Sequence, residues 1–114
     1  MRPQFYTSSS TSMITKLSRK LDQNQKAIAQ CYMMISSYIC EPQTYAQFEE
    51  LSALKETAKG LKVSNEQLIL DLKSEKQDAV TFELLTQKHL QEFYDFSLDA
   101  AVYIKTMKHQ RVAV

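Results

Sequence analysis

The groups with the greatest chemical potential in this chain are two imidazoles, His89 and His109, two thiols, Cys31 and Cys40, and the carboxylates near them. General acid–base or nucleophilic chemistry needs an imidazole within reach of a nucleophile or an orienting carboxylate. "HLQE" sets His89 and Glu92 three apart on one helical face. That is the reverse of the Glu-x-x-His order used by di-iron bundles, and it has no second copy. Neither cysteine has a His or another Cys at metal-ligand spacing. Cys31 and Cys40, nine residues apart on one predicted helix, lie more than two turns apart and cannot pair within it. They read as reduced thiols, with Cys31 a small core residue; the alternative is an intermolecular disulfide through Cys40, which falls near a helix end. With a single Gly in the chain, no Walker loop, dinucleotide fingerprint or nucleophile elbow is present. The sequence assigns no catalytic, cofactor-binding or metal-binding residue, and a non-enzymatic protein is expected.

A different polar residue stands out. Ile14, Leu21, Ile28 and Ile35 repeat at one position of a heptad, and Leu17, Asn24, Cys31 and Tyr38 occupy the other. Asn24 thus puts an amide inside an apolar seam. Such an amide costs stability in exchange for register or partner choice, because it must find a polar group across the interface. The other reading is that Asn24, in the polar run "DQNQK", lies beyond the end of the facing helix and is wet.

The elements that must carry these residues are helical. One Gly and two Pro in 114 residues leave little material for tight turns, and the length suits one domain with a modest core. Residues 1–12 lack periodicity and read as a flexible Ser/Thr-rich arm, whose Phe5 and Tyr6 are available to fold onto a groove, with Thr11 or Ser12 as the N-cap of the first helix. That helix is expected over about 13–40, its apolar face widened by Ala27, Tyr32, Met34 and Ile39. Glu41-Pro42 ends it and opens a second helix over about 42–59. Gly60 falls where a C-cap belongs, and Ser64 with Gln67 looks like a capping box for a third helix over about 65–109, leaving 111–114 as a tail. Leu72, Phe82, His89, Phe93, Phe96, Ala100, Tyr103 and Met107 fall on one register of that helix, with Glu75 and Thr86 as its polar members. The polar stretch "KSEKQD" at 73–78 would split it in two if the helix breaks there.

The fold class is therefore all-α: an antiparallel, coiled-coil-like hairpin or bundle of three helices, four if the last one breaks. A third helix of about 45 residues would outrun its neighbours and leave Phe93, Phe96 and Tyr103 uncovered, which implies a homodimer or an obligate partner.

Charge narrows the partner. The net charge of +1 argues against a general polyanion binder. It divides into a basic first helix (Lys16, Arg19, Lys20, Lys26), an acidic middle and a basic end (Lys105, Lys108, Arg111). No secretory signal is visible, and "CYMMISSYIC" is too short and too rich in Ser to span a bilayer. The expectation is a cytoplasmic protein-interaction module, either a small chaperone for a helical client or an adaptor-like coiled-coil subunit. It would bury a helix of another protein, or of its own twin, against Ile28, Ile35, Tyr38, Phe82, Phe93, Phe96 and Tyr103. The reading from a different class is a nucleic-acid-binding bundle that uses the basic strip of the first helix.

Overall fold

The computed structural model describes residues 2–74 and 78–113, with side-chain detail over 12–74 and 78–111. Three helices pack mutually into an antiparallel bundle with extents of 69 × 20 × 17 Å. They are α1 (Arg2–Ile35), α2 (Tyr45–Ser74) and α3 (Ala79–Ala113), and a single 3-10 turn, Tyr38–Cys40, lies between the first two.

Local chemistry explains each boundary. After Ile35 the backbone tightens: Ser37 N–H bonds to Met34 C=O at 3.2 Å and Cys40 N–H to Ser37 C=O at 3.0 Å, while the Ser37 hydroxyl donates to Met34 C=O at 2.7 Å. Pro42 comes next and cannot extend the ladder. Thr44 caps α2, its Oγ1 accepting Gln47 N–H at 3.1 Å, while Gln47 Oε1 accepts Gln43 N–H at 2.8 Å. This arrangement places the start of α2 three residues past Pro42. Asp78 caps α3 by accepting Thr81 N–H at 2.7 Å, and that bond holds its carboxyl below the usual range.

Two expected boundaries are corrected. Gly60 does not end a helix, and Ser64 does not open one: α2 runs through both to Ser74. The spacing Leu51, Leu54, Ala58, Leu61, Asn65, Leu68, Leu72 continues unbroken across Gly60. Burial of that stripe outweighs the roughly 1 kcal/mol that an interior Gly costs relative to Ala. A Cβ at Gly60 would meet nothing within 4 Å, so packing does not require the glycine either. Instead, α2 ends at Ser74 and α3 begins at Ala79; Glu75 and its two successors lie outside the described residues. At the N-terminus, α1 begins at Arg2, so Thr11 and Ser12 lie within the helix rather than capping it. The side chains of Phe5 and Tyr6 lie outside those described. At the other end α3 continues through Ala113, into the expected tail.

These corrections change the packing. Helices of 34, 30 and 35 residues cover one another, and the exposed aromatic face inferred from unequal lengths is absent: Phe96 and Tyr103 are buried and Phe93 is half-buried against them. Phe93 and Phe96 tilt at 47° with ring centroids 6.3 Å apart, and the Tyr103 hydroxyl donates to Cys40 C=O at 2.8 Å. The core has two parts. One cluster contains Ile28, Ile35, Leu54, Phe96 and Tyr103 beside the 3-10 turn. The other contains Leu17, Leu21, Leu72 and Phe82 towards the α2–α3 connection.

Candidate functional site

Between the two apolar clusters lies a polar layer with one amide or imidazole from each helix. Asn24 of α1, Asn65 of α2 and His89 of α3 are 6%, 0% and 3% exposed. Asn65 is the hub. Its Nδ2 donates to Leu21 C=O at 2.9 Å and to Gln25 Oε1 at 2.7 Å, which fixes the amide so that Oδ1 faces the other two residues. That oxygen accepts Asn24 Nδ2–H at 3.1 Å and lies 2.9 Å from His89 Nε2. An oxygen and a nitrogen this close need a hydrogen between them, and only the imidazole can supply it. The network thus selects the neutral tautomer with the proton on Nε2. Asn24 Nδ2 and His89 Nε2 stand 3.1 Å apart because both converge on the same oxygen. Among the described residues His89 Nδ1 is left without a partner, as is the buried Thr86 hydroxyl one turn earlier.

Burial holds the His89 pKa below its ordinary value and outweighs the opposing charge of Glu92. A proton on Nδ1 would create a buried N–H facing no acceptor. A histidine whose folded pKa is lowered contributes its full stability above the unfolded value near 6.5. Below that value the unfolded chain takes up a proton that the fold resists, and stability falls until the pH reaches the folded pKa. The melting temperature should therefore drop as the pH is lowered from 7.5 towards 5, and this slope should flatten in His89→Gln. A pH-independent wild-type melting temperature over that range would contradict the buried neutral assignment.

The layer overturns the wet reading of Asn24: the residue is buried, and its polar partners lie on this chain's own α2 and α3. Sequence reasoning finds Asn24, Thr86 and His89 but misses Asn65, which the misassigned boundary at Gly60 and Ser64 removes from any apolar stripe. The unbroken three-four spacing through Gly60 is the signal that could have found it.

The other residues proposed for partner contact are divided by the fold. Ile28, Ile35, Phe82, Phe96 and Tyr103 are inside the core, Phe93 is half-buried, and Tyr38 is 74% exposed. Tyr38 lies under Arg111, whose guanidinium is 4.7 Å from the ring centroid and donates to Tyr38 C=O at 3.2 Å and Ile39 C=O at 3.3 Å. This contact straps the end of α3 over the turn. Cys40 is buried, so its thiol is not presented to another molecule; Cys31 is half-buried, and burial pushes its thiol pKa up. Lys16, Arg19, Lys20 and Lys26 are all exposed on α1.

Depressions lie between all three pairs of helices. One of about 440 Å³ lies between α1 and α2, beside Ile28, Tyr32 and Ala58, and one of about 410 Å³ between α2 and α3, beside Leu68, Leu85 and His89. A longer furrow runs between α1 and α3. Two adjoining depressions of about 420 Å³ each share Met34, Ile104 and Lys108. The first reaches Ile39 at the turn, and the second reaches Cys31 and Ala101 farther along the rod. The furrow exists because small residues, Cys31, Ala100 and Ala101, stand where a larger side chain would close the angle between the helices. Met33, Met34 and Ile39 are exposed along it. Sequence reasoning singles out Met34 and Ile39 but has no means of pairing them with Ala101 and Ile104.

Among the described residues, no group of three or more His, Cys, Asp or Glu side chains is arranged to hold a metal ion, and no helix is long and apolar enough to cross a membrane. The class defined by these observations is an all-α, three-helix antiparallel bundle. Comparison with models of protein families, with curated proteins and with solved structures finds no match to this chain.

Proposed function

We propose that this chain is a non-enzymatic protein-interaction module that seats a helix of another protein in the furrow between α1 and α3. The observation that carries the reading is the furrow itself, an apolar trough lined by exposed Met33 and Met34 in which two depressions run together through Met34, Ile104 and Lys108. A residue span of 97–108 along α3 corresponds to roughly 16 Å, about three turns of a docked helix. Helix-in-groove recognition uses anchors at i, i+3 or i+4, and i+7 over such a length. Methionine side chains adapt their shape to different apolar anchors.

Because the three helices close their own core, the role is that of a chaperone-like or adaptor protein that engages a client and releases it, in a cytoplasmic setting where the two free thiols persist. The chemistry in hand favours this over catalysis. His89 is buried with Nε2 committed to Asn65, and the Cys31 thiol is shifted away from the reactive thiolate.

The test is selection from a displayed library of amphipathic helices against the wild-type chain. Binders are expected to compete with one another and to be lost on Ala101→Trp, which fills the furrow, while the circular dichroism and melting temperature of the variant stay near wild type. Binders indifferent to that substitution, or no binder at all, would contradict the reading.

A further inference from the structure

We infer that the helix seated in this furrow is acidic, carrying carboxylates beside its apolar anchors. The inference rests on the furrow reading and specifies the chemistry of the occupant. Its basis is the charge along the walls. Lys105 and Lys108, three apart on α3 and both exposed, line the trough. No lining residue of either depression is acidic.

The two ammonium groups are also uncommitted. Among the described residues the one ion pair joins Lys59 to Glu56 on α2 at 3.9 Å, and neither Lys105 nor Lys108 has a carboxylate partner there. The third cation at this end, Arg111, is occupied by the Tyr38 ring and two carbonyls. The division of labour is informative. The arginine, with its planar fork, holds the turn, whereas the lysines stand free on the rim of an apolar trough. Rim charges of one sign act on partner choice and association rate, because they attract a complementary surface and penalise a like-charged one. A basic amphipathic helix would meet two unscreened like charges, a neutral one would gain nothing from them, and an acidic one would pair both.

The experiment uses three helical peptides of equal length with the same leucine anchors at i, i+4 and i+7, flanked by Glu, Gln or Lys. Each is titrated into the full-length chain and followed by fluorescence anisotropy. At low salt the Glu peptide should bind about tenfold more tightly than the Gln peptide, the Lys peptide should bind weakest, and the differences should shrink in high salt as the charges are screened. Lys105→Glu/Lys108→Glu should reverse the order of the Glu and Lys peptides.

Equal binding of all three peptides, still lost on Ala101→Trp, would overturn the acidic assignment and leave the furrow reading intact. No binding, or binding insensitive to Ala101→Trp, would overturn both. Two alternative occupants are also resolved. A reversible dimer in sedimentation equilibrium, dissociated by Lys105→Glu/Lys108→Glu, would make the occupant a second copy of this chain. Tighter association with vesicles of an anionic phospholipid than with the Glu peptide would make it a lipid surface. Either result would overturn the proposal.

Discussion

Asn65→Leu should destabilise the bundle by about 2–4 kcal/mol, read from the urea midpoint at constant m-value. The side chains are similar in volume, so the loss does not come from a cavity. It comes from the hydrogen bonds that converge on Asn65. Removing Oδ1 leaves Asn24 Nδ2–H and His89 Nε2–H without their acceptor, and removing Nδ2 takes a donor from Leu21 C=O and Gln25 Oε1. Each buried group left unmade costs about 1–3 kcal/mol.

A second arm of the experiment separates the cost of bare donors from the worth of the layer. The triple variant Asn24→Leu/Asn65→Leu/His89→Leu removes all three partners together and leaves no bare side-chain donor among them. It should be more stable than the single variant, because an apolar layer is less costly than a half-satisfied polar one. What it should lose is a single register, since the two apolar clusters would merge into one featureless seam; broadened amide resonances would report this. A single variant within about 0.5 kcal/mol of wild type, or a triple variant that is the least stable of the set, would contradict a layer held by Asn65.

Phe82→Ala should have an effect of similar or greater size, about 3–5 kcal/mol. Phe82 is buried in the smaller cluster with Leu17, Leu21 and Leu72, one turn inside the Asp78 cap. That cluster has few members, and the polar layer separates it from the larger one, so little can collapse into the space that the ring vacates. Native-state hydrogen exchange should show the loss concentrated in α2 after Asn65 and in the first turns of α3. Amides near Ile28 and Ile35, which belong to the other cluster, should keep more of their protection. A uniform loss along all three helices would mean that the two clusters unfold as one unit.

The fold is legible in the sequence where periodicity is continuous and misleading where punctuation is taken at face value. The heptad of α1 and the register of α3 show in residue types and spacing, whereas α1 stops at Ile35, five residues before the end expected at about 40, and a 3-10 turn carries the chain on to Cys40. The boundary at Gly60 does not, because Gly with Ser64 and Gln67 close behind imitates a cap and a capping box. Capping residues act only where a helix stops, and here the buried stripe from Leu51 to Leu72 keeps it going. The polar run at 73–78 stands out as a candidate break, but spacing alone does not show its consequence. With α2 ending at Ser74 and α3 beginning at Ala79, the helices are nearly equal in length, and Phe96 and Tyr103 are covered. The amide in the first seam is visible, but its partners lie 41 and 65 residues away, and one sequence gives no pairing between helices. The furrow is legible least of all, since it arises from the angle between α1 and α3 and from the small residues at that angle.

The most direct test of the central claim, that the furrow between α1 and α3 is the binding surface, is a methionine-methyl NMR titration of the wild-type chain with the Glu-flanked peptide. The methionines report from separate places: Met34 in the furrow, Met33 on its edge, Met107 in the large cluster and Met13 against the small one. The largest shift is expected at Met34, a smaller one at Met33 and none at Met13. An unmoved Met34, or a shift dominated by Met13, would place the contact elsewhere and contradict the claim.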